Sequence, residues 1–216
     1  RMNTLSLSTV ALSQSVSFWH AGTELLRSKS LDRNSYNSGD WFNRIDWTGQ
    51  SSTFGSGLPM EADNGEKWPI MAPLLSNPAL KPAASDMASA ESAALDMLRV
   101  RSEVDLLRLG SADLIEQKVS FPNGGADAEP GVIVMLIDDL LGKDVDPELE
   151  GALVVFNASP EATTQVVADL AGRGFALTPA LAKGSDPVVK TTTWDAATGT
   201  VTVPARSVAV LVDVED

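Results

Sequence analysis

The chain has 216 residues, 44% of them hydrophobic, which is enough for one large or two small packed cores. Its formal net charge of −13 repels a polyphosphate backbone and an anionic membrane surface alike, so nucleic acid is excluded as a partner and a neutral ligand fits better. The absence of cysteine excludes disulfides, thiolate catalysis and Cys-ligated zinc, and the single histidine, His20, excludes a His-rich metal site.

Residues 2–13 read as an amphipathic helix with Met2, Leu5, Val10 and Leu12 set among Ser and Thr, so the chain is expected to begin within a fold. The opening interleaves polar residues where a signal peptide is continuously apolar. No apolar run approaches the ~20 residues that span a bilayer, so no membrane insertion is expected. The compartment stays open, cytoplasmic or secreted. Val16 to Trp19 reads as a short buried strand and Thr23 to Leu26 as a helical turn. A long polar and aromatic loop follows from Ser28 to Trp47, and a Gly- and Ser-rich surface loop from Thr48 to Lys67. Trp68 to Leu75 is expected to be a short helix. Ser85 is a candidate N-cap for a helix over 86–108 that places Met87, Ala90, Ala94, Met97 and Leu98 on one face, with Gly110 beyond its end.

Beyond Gly110 the pattern changes to short strands separated by turn residues. They are expected at 119–121, 132–137, 152–156, 164–168, 176–179, 188–194, 200–203 and 207–212, with a hairpin turn from Trp194-Asp195 to Gly199-Thr200. The fold class is therefore α+β, with helix, strand and helix followed by an antiparallel β-sandwich, and the domain boundary is expected at 109–112. The acidic stretch with Asp138, Asp139, Asp144, Asp146 and Glu148 lacks EF-hand spacing and reads as a solvated loop.

The Ser28–Trp47 loop, SKSLDRNSYNSGDWFNRIDW, mixes charges with aromatics, as a site must that satisfies the flat apolar faces and the hydroxyl edges of sugars together. Asp40 and Arg44 stand four apart and can face the same way, as a surface ion pair or as a joint grip on sugar hydroxyls. On the residues alone the ion pair is the first reading. Asp32 and Arg33 either bind ligand or hold the loop together. Trp41, Phe42, Tyr36 and Trp47 either stack on sugar rings or, the preferred reading, anchor the loop to the core. His20 is expected to be partly buried, and Glu24 to orient its neighbours.

This loop resembles the run that follows the last strand of the catalytic barrel in the pullulanase and limit-dextrinase group of the alpha-amylase superfamily. The resemblance extends through SFWHAGTELLRSKSLDRN, NGEKWPIMAPLLSNPALKP, FPNGG, PGVIVMLIDD and LVVFNAS, and so covers most of the chain. Where the family usually has Gln-Gly-Ile-Pro, the chain reads Gln14-Ser15-Val16-Ser17. The resemblance implies that residues 1–110 are the last helix-strand-helix portion of a (β/α)8 barrel and that 111–216 are the C-terminal β-sandwich. It implies hydrolysis of alpha-1,6 branch linkages in pullulan, limit dextrin, starch or glycogen, with a branched alpha-glucan and the N-terminal remainder of the same enzyme as partners. It also reverses the order of readings at Asp40 and Arg44, because related amylases use an Asp and an Arg four apart in this loop on a glucosyl unit at the non-reducing side of the cleaved bond. Asp32, Arg33 and Trp41 are weaker substrate-binding candidates. The family's catalytic carboxylates lie on strands that precede residue 1, so none is assigned here and the isolated chain is expected to be inactive. No cofactor is expected in this chain, with calcium possible in the intact enzyme. The competing reading is an autonomous carbohydrate-binding or structural β-sandwich module. A third keeps the enzyme but changes the substrate, to an alpha-1,4 amylase or isoamylase relative.

Overall fold

Three nearly continuous apolar runs in the second half of the chain become its longest strands. A computed structural model describes residues 1–126 and 128–214. Among the described residues the eight strands are β1 (Val119–Ser120), β2 (Val132–Asp138), β3 (Leu149–Asn157), β4 (Thr163–Val166), β5 (Ala176–Leu177), β6 (Thr193–Asp195), β7 (Thr200–Val203) and β8 (Ser207–Val214). The helices are α1 (Met2–Ala11), α2 (Asp40–Asn43), α3 (Glu61–Asn64), α4 (Trp68–Leu75), α5 (Ala84–Glu103), α6 (Ala112–Lys118) and α7 (Pro179–Ala182). The residues divide into two compact units, one of 1–19 with 93–214 and one of 20–92, and the division falls within α5.

The first unit holds two antiparallel sheets, ordered β1-β2-β3-β8-β5 and β4-β7-β6. The strands β3 and β8 pair in the middle of the larger sheet, with Val154 opposite Val210, and are buried almost throughout, which explains why their sequences do not alternate. Leu5, Leu12, Met97, Val100 and Leu106 share one core with Leu153, Val155, Val201 and Leu211. Each such side chain contributes about 1.5 to 3 kcal/mol on burial. In α1 the buried residues are Leu5, Leu7, Ser8 and Ala11, whereas Met2 and Val10, expected on the apolar face, are exposed. Arg101 donates from Nη1 to the carbonyls of Ala11 (2.6 Å) and Ser13 (2.8 Å), satisfying backbone acceptors that the end of α1 leaves open.

Several expectations are corrected. Residues 16–19 form no strand, and Val16 and Phe18 are 89% and 84% exposed; among the described residues no strand pairs with them to take up their backbone hydrogen bonds. The helix expected over 86–108 begins at Ala84 and ends at Glu103. Asp86 Oδ2 accepts the Ala83 N–H (2.9 Å), so Asp86 rather than Ser85 satisfies the helix start. A separate 3-10 turn spans Asp105–Arg108, and Gly110 follows with φ +72°. Leu98 lies on the exposed side of α5 and Val100 joins the buried face. The strand expected over 188–194 is mostly a 3-10 turn, Val189–Thr191, leaving Thr193–Asp195 as β6. Pro179 opens α7 instead of closing β5, since its fixed φ suits a first helical turn. The helix α6 was not anticipated, although its cap is legible: Ser111 accepts the Leu114 N–H (3.3 Å). The β6–β7 hairpin lies where it was expected, with Asp195 opposite Thr200.

The acidic stretch is not a solvated loop throughout. Asp139 is buried and pairs with Lys118 Nζ at 2.7 Å, while its Oδ2 accepts the N–H groups of Val145 (3.0 Å) and Asp146 (2.9 Å). Arg173 forms a second, partly buried cluster, with Nε on Asp213 (2.6 Å), Nη1 on Asp138 (3.0 Å) and Nη2 on the Glu150 carbonyl (2.9 Å). A side chain at Gly151, at the bulge in β3, would meet this guanidinium at 2.8 Å and the Ile137 carbonyl oxygen at 3.0 Å.

Candidate functional site

The unit of residues 20–92 contains the polar, aromatic loop, and its backbone is held by side chains rather than by a sheet. Arg27 donates from Nη1 to the Ala21 carbonyl (3.2 Å) and from Nη2 to the Asn43 carbonyl. Asn43 donates from Nδ2 to the carbonyls of Ser35 (2.8 Å) and Gly39 (3.2 Å) and accepts the Ser35 hydroxyl (3.0 Å). Asn64, 2% exposed, donates to Asp32 Oδ1 (3.0 Å) and to the Met60 carbonyl (3.1 Å), and accepts the Arg33 N–H (3.1 Å). Ser30 and Leu31 both have positive φ, and the Ser30 hydroxyl, 1% exposed, donates to the Thr53 carbonyl (3.0 Å). These contacts join segments up to about thirty residues apart and fix the loop from within.

On that frame Gly39, at φ +78°, turns the chain into the single turn of α2. Asp40 is its first residue. The Arg44 N–H donates to the Asp40 carbonyl at 2.7 Å, so the spacing of four becomes one helical turn, and both side chains are exposed. Among the described residues neither side chain makes a hydrogen bond or an ion pair, and they do not pair with each other. A carboxylate and a guanidinium are thus presented together, with their donors and acceptors unspent.

Asp32 and Arg33 diverge. The Asp32 carboxylate accepts the Asn34 N–H (3.1 Å), the Asn64 amide (3.0 Å) and the Ser38 hydroxyl, and so holds the loop. Partial burial works to raise its pKa, but these hydrogen bonds and the charge of Lys29 outweigh it and hold the group below the ordinary aspartate value. Arg33 has a side chain 72% exposed and approaches Asp63 at 3.6 Å. Together with Lys29, Asn34, Ser35, Tyr36 and Asn43 these two residues line an open depression of about 540 Å³.

The aromatics divide as well. Phe42 is buried at 4% exposure and anchors the loop. Trp41 is 47% exposed, lies 4.2 Å from Phe42 between ring centroids, and passes over Gly57, where a Cβ would come within 2.8 Å of the indole. It anchors with one part and presents the other. Tyr36 and Trp47, for which anchoring was the preferred reading, are 88% and 67% exposed and anchor nothing. His20, expected to be partly buried, is exposed, and its carbonyl accepts from Thr23. Glu24 does orient its neighbours, accepting the Gly22 N–H at 2.9 Å. Asp46 accepts four hydrogen bonds from Thr48 and Ser51, which push its pKa far down and close the turn after the loop. Arg27, Asn43 and Asn64 were not picked out from the sequence, because their partners are distant and a lone amide in a polar loop carries no pattern.

Among the described residues no group of three or more His, Cys, Asp and Glu side chains is arranged to hold a metal ion. No helix among them is long and apolar enough to cross a membrane.

Residues 49–214 match the family described as alpha-1,6-glucosidases, pullulanase-type, C-terminal. The chain belongs to that family. It is 41% identical over 218 residues to Pullulanase 1, chloroplastic, of Arabidopsis thaliana, covering 99% of this chain and 23% of that protein. It is 35% identical over 213 residues to a pullulanase of Klebsiella pneumoniae, covering 98% of this chain and 19% of that protein. The crystal structure of the maltotriose complex of PulA from Klebsiella pneumoniae superposes with a TM-score of 0.89 at 35% identity, over 99% of this chain and 23% of that one. The chain thus spans about a fifth of the length of the curated relatives it matches and corresponds to the C-terminal part of a pullulanase-type enzyme.

Proposed function

We propose that the chain forms one wall of the substrate cleft, together with a supporting sandwich, in an enzyme that hydrolyses alpha-1,6 branch linkages of pullulan, limit dextrin, starch or glycogen. In this reading residues 1–110 complete a (β/α)8 barrel with the N-terminal remainder of the same enzyme, and 111–216 are the C-terminal sandwich. The remainder supplies the catalytic carboxylates, and this chain needs no cofactor of its own. The observation that carries the proposal is the pair Asp40 and Arg44, exposed one helical turn apart on a braced loop, with side chains spent on no hydrogen bond or ion pair among the described residues. A carboxylate accepts from sugar hydroxyls and a guanidinium donates to them, so the two together fix the orientation of one glucosyl unit. Arg33 and the open face of Trp41 add a donor and a stacking surface, while Asp32 acts by holding the loop in place.

The match of nearly the whole chain to one stretch of much longer pullulanases favours this reading over an autonomous binding module. The maltotriose complex of the Klebsiella pneumoniae protein supports an alpha-glucan as the ligand class.

In the intact enzyme, Asp40→Ala and Arg44→Ala are each expected to lower kcat/KM on a branched maltooligosaccharide by the equivalent of about 1.5 to 3 kcal/mol. The double variant should lose less than the sum, because both groups hold the same unit. Unchanged kinetics in both single variants would remove the proposal.

A further inference from the structure

The turn from Gly22 to Arg27 concentrates local costs. Leu26 stands at φ +52°, in the left-handed region that a Cβ disfavours, four residues after Gly22 at φ +91°. Arg27 is partly buried, yet among the described residues no carboxylate pairs with its guanidinium, which donates only to two neutral carbonyls. Its Nε is closed off with no acceptor. A cation drawn out of water without a counter-ion, next to a strained residue, is a poor device for stability, and such departures persist where position matters more than stability.

The arrangement holds two segments in a fixed relation. The Arg27 N–H donates to the Gly22 carbonyl (2.9 Å) and closes the turn. The aliphatic stem folds back over Gly22, where a Cβ would come within 2.7 Å of Cδ, and the guanidinium reaches Ala21 on one side and Asn43 on the other. Asn43 is the last residue of α2, and its carbonyl is one of those a helix leaves without an internal partner. The charge of Arg27 therefore meets the negative end of the turn that begins at Asp40. With a single turn and no side-chain cap at Gly39, α2 is too short to hold itself, so its direction is set by what grips it.

We infer that Arg27 is a positioning residue for substrate binding: it locks the end of α2 against the Ala21–Gly22 turn and so fixes the direction in which Asp40 and Arg44 face the glucan. With Nε closed off and each Nη already donating inward, Arg27 acts through that pair and not on the sugar. The inference rests on the assignment of Asp40 and Arg44 to the substrate cleft.

The test measures kcat/KM on a branched maltooligosaccharide, together with Tm, for Arg27→Met in two forms of the intact enzyme: the wild type and the double variant Asp40→Ala with Arg44→Ala. Methionine keeps a stem over Gly22 and removes both donors. In the wild type Arg27→Met is expected to lower kcat/KM about tenfold, the worth of one charge-assisted hydrogen bond. In the double variant it should change kcat/KM by less than about twofold, because the groups it positions are already gone, while Tm falls in both forms alike. Should Arg27→Met not fold, Arg27→Lys carries the same comparison, since one ammonium keeps the charge but does not span both carbonyls. A lower Tm with wild-type kcat/KM marks a merely structural arginine and overturns the inference, leaving the cleft assignment standing. An equal loss of kcat/KM in both forms shows that Arg27 acts elsewhere and overturns it too. Wild-type kinetics in the double variant itself overturns the cleft assignment, and the role of Arg27 with it.

Discussion

Asp32 shows how one residue of the loop holds its neighbours in place. Its carboxylate gathers hydrogen bonds from Ser38, Asn34 and Asn64, and these outweigh partial burial, so the group is ionised more readily folded than unfolded. A depressed folded pKa contributes stability above the unfolded value of about 4, and that contribution is lost as pH falls through the folded pKa. Asp32→Asn should therefore lower Tm at neutral pH, by a difference that shrinks as the pH is taken well below 4; a difference independent of pH would remove the electrostatic account. Polar loops advertise their residue types but not their partners. The helical turn that sets Asp40 and Arg44 four apart was legible because its spacing is local. Asn64 was not, because what makes it structural is a carboxylate 32 positions away.

Among the elements, those legible in the sequence are the ones whose cause is local. The short helix α4 lies where expected, with Pro69 in its first turn, and β2, β3 and β8 follow their apolar runs. Residues 16–19 show the opposite case, since a strand is a property of a pair and an apolar run alone does not supply its partner. The junction of α6 with β1 carries a further hidden feature, the buried Lys118. Its Nζ pairs with Asp139 and donates to the Asp139 carbonyl (3.1 Å) and to that of Leu141 (2.5 Å). A lysine at the end of a short helix reads as exposed, and only the return of residues 138–146 buries it. Lys118→Met leaves a buried carboxylate without its cation and should cost about 3 to 5 kcal/mol in urea unfolding. Replacing both partners, Lys118→Met with Asp139→Leu, should cost less than Lys118→Met alone. A single-variant loss below 1 kcal/mol would show that the pair is solvated in solution.

At the scale of the whole molecule, the core of the first unit is not confined to its sheets. Met97, Val100, Val104, Leu106 and Leu107 are buried in the same cluster as β3 and β8. A fragment of residues 93–216 should accordingly melt at a higher temperature than one of residues 112–216; equal melting temperatures would show that these side chains add nothing to the sandwich. If the proposed division of roles holds, the chain alone should release no reducing sugar from pullulan, because the proton donor and the nucleophile of glycoside hydrolysis would both lie in the remainder of the enzyme. Turnover by the pure chain, abolished by changing one of its own carboxylates, would contradict that division of labour. The account as a whole turns on what Asp40 and Arg44 touch, and the most direct measurement is a crystal structure of the intact enzyme with bound maltotriose. It is expected to place a carboxylate oxygen of Asp40 and a guanidinium nitrogen of Arg44 within about 3 Å of hydroxyls on one glucosyl unit. Maltotriose bound in the cleft with both side chains turned to solvent, or joined only to each other, would contradict it.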